Sequence, residues 1–373
     1  MSKVVISSTG FYAPETVITN DELVASYNKH VEEFNAENAQ GIADGSVTEK
    51  QPSSSAFVVK ASGIVNRHVI DKTGVLDTSL LRPQIPTRGD EELGQQAEMA
   101  VAAATEALAK ANKKPEDIDM LLVACSNMQR AYPAVAIEVQ NALGCGGYAY
   151  DLNVACSSAT FGLQSAVAAL KTGQAKCALV INPEICSAHL NFSDRDCHFI
   201  FGDACTAMVI EPESSCTVSG AWEVVDTKVL TQFSNNIRNN FGFLNSSEVP
   251  PRDDNDRLFR QNGRSVFKEV APAVVKTIQE HLDSNDLETA DVSRFWLHQA
   301  NLNMNNLIAK RLLGRPATTK EAPVVLDEYA NTSSAGSIIA FHQHRDDLKA
   351  GDLGVICAFG AGYSAGNVIV QKR

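Results

Sequence analysis

Three residues in this chain have the types and local settings for acyl-transfer chemistry: Cys156, His298 and Asn331. Each stands where an apolar strand pattern gives way to a helical one. Cys156 lies in Tyr150-Asp-Leu-Asn-Val-Ala-Cys-Ser-Ser-Ala-Thr-Phe-Gly, His298 in Phe295-Trp-Leu-His-Gln-Ala-Asn-Leu, and Asn331 in Glu328-Tyr-Ala-Asn-Thr-Ser-Ser-Ala-Gly. A thiol becomes a strong nucleophile only as its thiolate, and a helix N-terminus can lower its pKa from about 8.5 into the range of roughly 3.5 to 7.5. Taken singly, each residue also has a plain structural reading: a small buried thiol, a core histidine, a helix N-cap. Their joint placement at strand-to-helix corners favours chemistry, because α/β sheets present ligand-binding groups there.

The elements that must position them follow from the pattern. Short apolar runs alternate with helical periodicity, which reads as α/β. Strands are expected at Met120 to Ala124, Cys177 to Ile181, Phe295 to Leu297, Val324 to Leu326, Leu353 to Phe359 and Asn367 to Val370. Helices are expected at Ala134 to Leu143, Ser157 to Leu170, Asn301 to Leu313 and Ser333 to His344. Strand, Cys156, helix, Thr172-Gly173, strand matches strand, Asn331, helix, Ala350-Gly351, strand. This order suggests an internal duplication, with halves at 1–212 and 213–373 and the two polar corners facing one another. The stretches 28–58 and 231–262 are polar and break the rhythm, so they read as lids or surface excursions.

Bulk properties bound the function. The 373 residues exceed a usual single core, and 44% hydrophobic with 20% charged residues is an ordinary globular composition. No apolar run is long enough for a membrane span. The nine cysteines are scattered without Cys-x-x-Cys spacing, and the opening Met-Ser-Lys-Val-Val-Ile enters a strand pattern without a leader. Both point to the cytoplasm. A formal charge of −12 argues against nucleic acid as a partner. His342-x-His344 lacks a third ligand and points apart on a helix, so no metal is expected. The run Ala358-Phe-Gly-Ala-Gly-Tyr-Ser-Ala-Gly-Asn precedes a strand and lacks phosphate-loop spacing; its glycines suit close backbone approach and N–H donation to an oxyanion.

With these residues in place, the chain resembles the β-ketoacyl-acyl carrier protein synthase III family, condensing enzymes of the thiolase superfamily. The resemblance runs through Val4-Val-Ile-Ser-Ser-Thr-Gly-Phe-Tyr-Ala-Pro, Thr19-Asn-Asp-Glu-Leu, Ser62-Gly-Ile-Val-Asn-Arg-His, Cys156, Phe201-Gly-Asp, His298-Gln-Ala-Asn, Asn331-Thr-Ser and Phe359-Gly-Ala-Gly. It implies a five-layered αβαβα fold, a homodimer, and no cofactor. It implies that Cys156 is acylated by an acyl-CoA, and that His298 and Asn331 serve decarboxylation of malonyl-acyl carrier protein, yielding a 3-oxoacyl-carrier protein, CoA and carbon dioxide. The backbone N–H groups of Cys156 and Ala361 would form an oxyanion hole, with alanine where the family usually has glycine. Tyr132 and Phe161 would line the acyl tunnel. Lys268, Lys310 and Arg311 would dock the acidic carrier protein, a local basic patch on an acidic chain.

The pattern departs from the family at the adenine clamp: Lys60-Ala61 precedes Ser62-Gly63, and the later arginine aligns near Ala188. The insertion 28–58 could take part instead. The long insertions resemble the branch primed by medium-chain acyl-CoA. An acetyl-CoA-primed initiating synthase and a polyketide or quinolone-type synthase using malonyl-CoA share the same three residues. A biosynthetic thiolase is disfavoured, because Cys357 falls two residues too early and Phe359 holds the second cysteine's place. A non-catalytic acyl-binding subunit would not need the intact trio.

Overall fold

The computed structural model describes residues 3–373. The first half runs β1 (Val4–Tyr12), β2 (Val17–Thr19), α1 (Asn20–Glu37), α2 (Ala39–Asp44), α3 (Ser55–Ser62), β3 (Asn66–His68) and α4 (Thr73–Leu76). It continues through α5 (Gln95–Ala111), β4 (Met120–Ala124), α6 (Val135–Leu143), β5 (Tyr148–Leu152), α7 (Ser158–Lys171), β6 (Ala178–Ile185) and β7 (Asp203–Pro212). The second half holds β8 (Trp222–Leu230), β9 (Ile237–Arg238), β10 (Arg260–Gln261), α8 (Gly263–Asp283), β11 (Val292–Leu297), α9 (Leu302–Leu313), α10 (Leu326–Tyr329), α11 (Ala335–Gln343), β12 (Leu353–Gly360) and β13 (Ser364–Lys372).

Nine strands join in the order β11-β12-β13-β8-β1-β7-β6-β4-β5. Four strands mirror four about the β8–β1 junction, with β5 unmatched at one edge, and only Val5↔Glu223 and Ile6↔Trp222 pair across it. Each half therefore forms its own mixed sheet, and the two fold back on each other. Alternation along the strands shows the layers. Met120, Leu122, Val180 and Met208 from one sheet face inward with Trp222, Trp296, Ile356 and Val368 from the other, around α7 and α11. Leu121, Val123, Leu179 and Ile181 point the opposite way, onto α5 and α6. Phe295, Leu297, Val355 and Cys357 point out onto α8 and α9. Five layers result, αβαβα, with two buried helices at the centre.

The middle layer is pinned by aromatic edges. Trp296 packs edge-on against Phe341 of α11 at 4.9 Å and against Trp222 at 5.3 Å. Such pairs contribute roughly 0.5–1.5 kcal/mol each beyond area burial. This matters to function because α11 begins four residues after Asn331, so fixing α11 fixes that corner.

Two expectations need correction. Val324 to Leu326 is not a strand: Val325 donates its N–H to the Gln299 side chain at 3.0 Å, and the chain coils into α10. A side chain has taken the place of a ladder partner at the open edge of β11. The stretch 28–58 is not a loop but helical through residue 44. Thr19 and Glu22 form a capping box, and Leu23, Val24, Tyr27 and Val31 give α1 a buried stripe. By contrast, 231–262 is irregular, with single helical turns and the two-residue ribbon β9–β10.

Candidate active site

The site gathers at the ends of β12 and β5 and the turn before α11. After β5 the chain bends sharply: Ala155 has a φ of 47° and Ser157 to Ser158 enter α7. That left-handed residue is costly for alanine. Asn153 Oδ1 accepts the Ala155 N–H at 2.9 Å and holds the bend. Cys156 sits at its tip, half-buried.

The end of β12 lies against it. A β-carbon added at Gly360 would stand 2.7 Å from Cys156 Cβ and 3.2 Å from Sγ, so no larger residue fits. The backbone N–H groups of Cys156 and Ala361 lie close enough to the sulfur to favour its anion. The Ser333 hydroxyl does the same, although it makes no well-formed hydrogen bond. Burial outweighs all three and pushes the Cys156 thiol up to about 11. Removal from water costs the anion more than these partners return, and the nearby Glu184 charge adds to that cost, against the lowering expected from the helix N-terminus.

His298 follows β11, just past the parallel pair Leu297↔Cys357. It is buried, and its ring meets Phe359 edge-on at 5.2 Å. Phe359 and Gly360 are neighbours, so His298 and Cys156 flank one strand end. Burial holds the imidazole down to about 4, hence neutral at physiological pH. Gln299 ties this corner to the next. Its amide donates to Leu297 O at 2.8 Å while its carbonyl receives Val325 N–H, bridging β11 to the segment leading into Asn331. Asn301 caps α9 and donates to Ala61 O at 2.7 Å, anchoring the same loop to α3.

Asn331 is held as a one-residue bridge to Phe201: its N–H donates to Ile200 O at 3.0 Å and its O accepts from Gly202 N at 3.2 Å. Gly202 admits no side chain, since a β-carbon would meet Tyr329 O at 2.3 Å. The Asn331 carbonyl oxygen accepts Ser333 N–H at 2.9 Å, which leaves its NH2 group as the donor available for another partner. Ser333, at φ 49°, turns its hydroxyl towards Cys156. Asn331 is therefore not the N-cap of α11, as its place before a helix suggests, but a residue of the turn preceding it.

The structure thus brings Cys156, His298, Asn331 and Ala361 together. Phe161 lies half-buried on α7, and Tyr132 projects from the loop after β4, 85% exposed in the single chain. Lys268 on α8 and Lys310 and Arg311 on α9 are exposed on helices that pack together through Val266, Val270, Ile308 and Leu312. At the expected adenine clamp, Ala188 is exposed, while Arg195 stacks its guanidinium over Phe57 at 4.3 Å. Sequence reasoning missed Ser333 and Glu184, and it read the glycines around Gly360 as suited to close backbone approach without saying what approaches. The signal for Glu184 was present, an acid inside the apolar strand Ala178–Ile185.

Paired half-sheets around two buried helices, with a cysteine at the corner between β5 and α7, define a thiolase-fold condensing acyltransferase. Residues 150–229 match the family described as 3-Oxoacyl-[acyl-carrier-protein (ACP)] synthase III, and residues 282–372 match its C-terminal region. The chain is 56% identical to a β-ketodecanoyl-[acyl-carrier-protein] synthase of Pseudomonas aeruginosa, over 93% of this chain and 99% of that one. It is 29% identical to the β-ketoacyl-[acyl-carrier-protein] synthase III of Ehrlichia canis, over 100% of both. The crystal structure of the synthase III from Aquifex aeolicus superposes with a TM-score of 0.75 at 26% identity, covering 99% of each chain. The chain belongs to the β-ketoacyl-acyl carrier protein synthase III family. It is an enzyme that condenses an acyl primer with malonyl-acyl carrier protein to give a 3-oxoacyl-acyl carrier protein. Among the described residues, no helix is long and apolar enough to cross a membrane.

Proposed function

We propose that this enzyme takes a medium-chain acyl-CoA as primer, with Cys156 as nucleophile and His298 and Asn331 as donors to the developing enolate. The observation that supports the catalytic assignment is the contact of Gly360, Ala361 and Ser333 with Cys156, since Ser333 binds Asn331 and Phe359, next to Gly360, packs on His298. The thiol gives up its proton as it attacks the thioester carbonyl, whose oxygen receives the N–H groups of Cys156 and Ala361. CoA leaves with a proton. Malonyl-acyl carrier protein then binds; loss of carbon dioxide places negative charge on its thioester oxygen. With its proton on Nε2, neutral His298 donates to that oxygen, and Asn331 donates through its NH2 group. The enolate carbon attacks the acyl-enzyme carbonyl and expels the Cys156 sulfur as thiolate, which takes a proton from solvent to restore the thiol.

The medium-chain reading rests on the 56% identity to a synthase named for a β-ketodecanoyl product. Condensation adds two carbons, so the corresponding primer is octanoyl-CoA. The exposed edge strand β5, with Tyr148 and Tyr150 partly exposed and Tyr132 nearby in sequence, supports a homodimer in which β5 meets its copy and Tyr132 reaches the partner's acyl tunnel beside Phe161. The exposed trio Lys268, Lys310 and Arg311 supports carrier-protein docking. The mirrored order of four strands on each side of the β8–β1 junction supports halves at 1–212 and 213–373, and nine free cysteines support a cytoplasmic setting.

The test is incubation with acyl-CoAs from acetyl to palmitoyl, followed by intact-mass measurement and peptide mapping. An adduct on Cys156 that is fastest with octanoyl-CoA is expected, and Cys156→Ala abolishes both the adduct and condensation. A fastest adduct with acetyl-CoA overturns the medium-chain assignment.

A further inference from the structure

We infer that Glu184 is a positioning residue that couples the Cys156 corner to the Asn331 corner, so that the nucleophile and the Asn331 donor are set by one buried carboxylate. The inference rests on the catalytic assignment above.

Glu184 is 1% exposed, on the inner length of β6. An acid there is expensive unless its oxygens are satisfied. They are satisfied from two sides. Ser126, just beyond β4, donates its N–H at 3.0 Å and its hydroxyl at 2.5 Å. Ser334, at the entrance to α11, donates its N–H at 3.1 Å and also its hydroxyl. Four N–H and O–H donors meet one carboxylate, with the Cys186 thiol donating to it at 3.8 Å, and a carboxylate alone can accept all of them.

Each arm runs on to the site. From Ser126, the backbone carbonyl accepts from Asn153 Nδ2 at 2.9 Å, and Asn153 Oδ1 accepts the N–H of Ala155, the left-handed residue that aims Cys156. From Ser334, the adjoining residue is Ser333, whose N–H closes onto Asn331 Oδ1 and so orients the free NH2 group. Ser126 and Asn153 belong to the first half of the chain, Ser333 and Ser334 to the second. Glu184 is where hydrogen bonds from the two halves meet behind the site. A neutral amide at this position keeps one oxygen acceptor but turns an NH2 group towards donors, so at least one arm opens.

The experiment separates the arms. Octanoylation of Cys156 by octanoyl-CoA is followed by intact mass, and carbon dioxide release from malonyl-acyl carrier protein is followed on pre-acylated enzyme. Misplacement by a fraction of an ångström costs about 10-fold on this scale. Ser126→Ala is expected to slow octanoylation about 10-fold and leave carbon dioxide release within about twofold. Ser334→Ala is expected to do the reverse, and Glu184→Gln to slow both. A merely structural role would move both steps alike, with the melting temperature. Equal slowing of both steps by each serine variant, slowing of neither, or exchange of the two arms overturns the inference. If Glu184→Gln does not fold, the serine variants still decide. An octanoyl group mapped to a residue other than Cys156 in the unaltered enzyme removes the catalytic assignment itself, a result visible before any variant is made.

Discussion

Gly360 backs directly onto Cys156, leaving 2.7 Å between the nucleophile's β-carbon and the place where a side chain on Gly360 would begin. Its φ of −172° is ordinary extended backbone, so the need for glycine here is space and not conformation. Gly360→Ala must displace Cys156 or the end of β12, and with it the Ala361 N–H. A loss of about 100-fold in octanoylation is expected, with global stability changed by only about 1–3 kcal/mol. Adduct formation at the unaltered rate in this variant would show that the contact is slack.

The thiol's protonation state is open to direct measurement. With the Cys156 pKa pushed up to about 11 by burial, the thiolate is a minor species near neutrality. Alkylation of Cys156 by iodoacetamide, mapped by mass spectrometry, is expected to quicken about tenfold per pH unit from neutrality to about pH 10. A rate that levels off below pH 8 would mean that the helix N-terminus wins after all.

His298 is placed to act after acyl transfer. Its ring is neutral and buried, so it is a poor base for a thiol, while in the tautomer with its proton on Nε2 it is a competent donor. His298→Ala should retain octanoylation and lose about 10²- to 10³-fold in carbon dioxide release from malonyl-acyl carrier protein. Normal decarboxylation in that variant refutes the role.

Lys310 and Arg311 stand exposed on α9, remote in function from the acyl-CoA half-reaction. Reversing both charges, Lys310→Glu with Arg311→Glu, is expected to raise KM for malonyl-acyl carrier protein several-fold while octanoylation by octanoyl-CoA stays unchanged. Added salt should narrow the difference, because exposed charges are screened over about 8–10 Å. Equal KM values at low salt would place docking elsewhere.

The corners of the fold were legible wherever local chemistry marks a boundary. Pro133 and Gly144 bracket α6, Asn301 caps α9, and the buried run Met120–Ala124 is a strand as read. The misreadings came where tertiary contacts supply what sequence does not display. The segment 324–326 looks like a strand but is coiled because Gln299 binds its backbone. The region 28–44 looks like polar loop but is helix, because α1 needs only a narrow buried stripe.

Residue types and spacing alone gave the α/β class and the candidate trio Cys156, His298 and Asn331, since strand-to-helix corners are written in local patterns of apolar and turn residues, while the five-layered αβαβα fold followed from the family resemblance. Only the tertiary structure showed that burial raises the Cys156 pKa, that Cys156 is what stands against Gly360, and that Glu184 gathers both halves behind the site. Those properties depend on burial and on distances between residues remote in the chain, and neither is encoded in any short stretch of sequence.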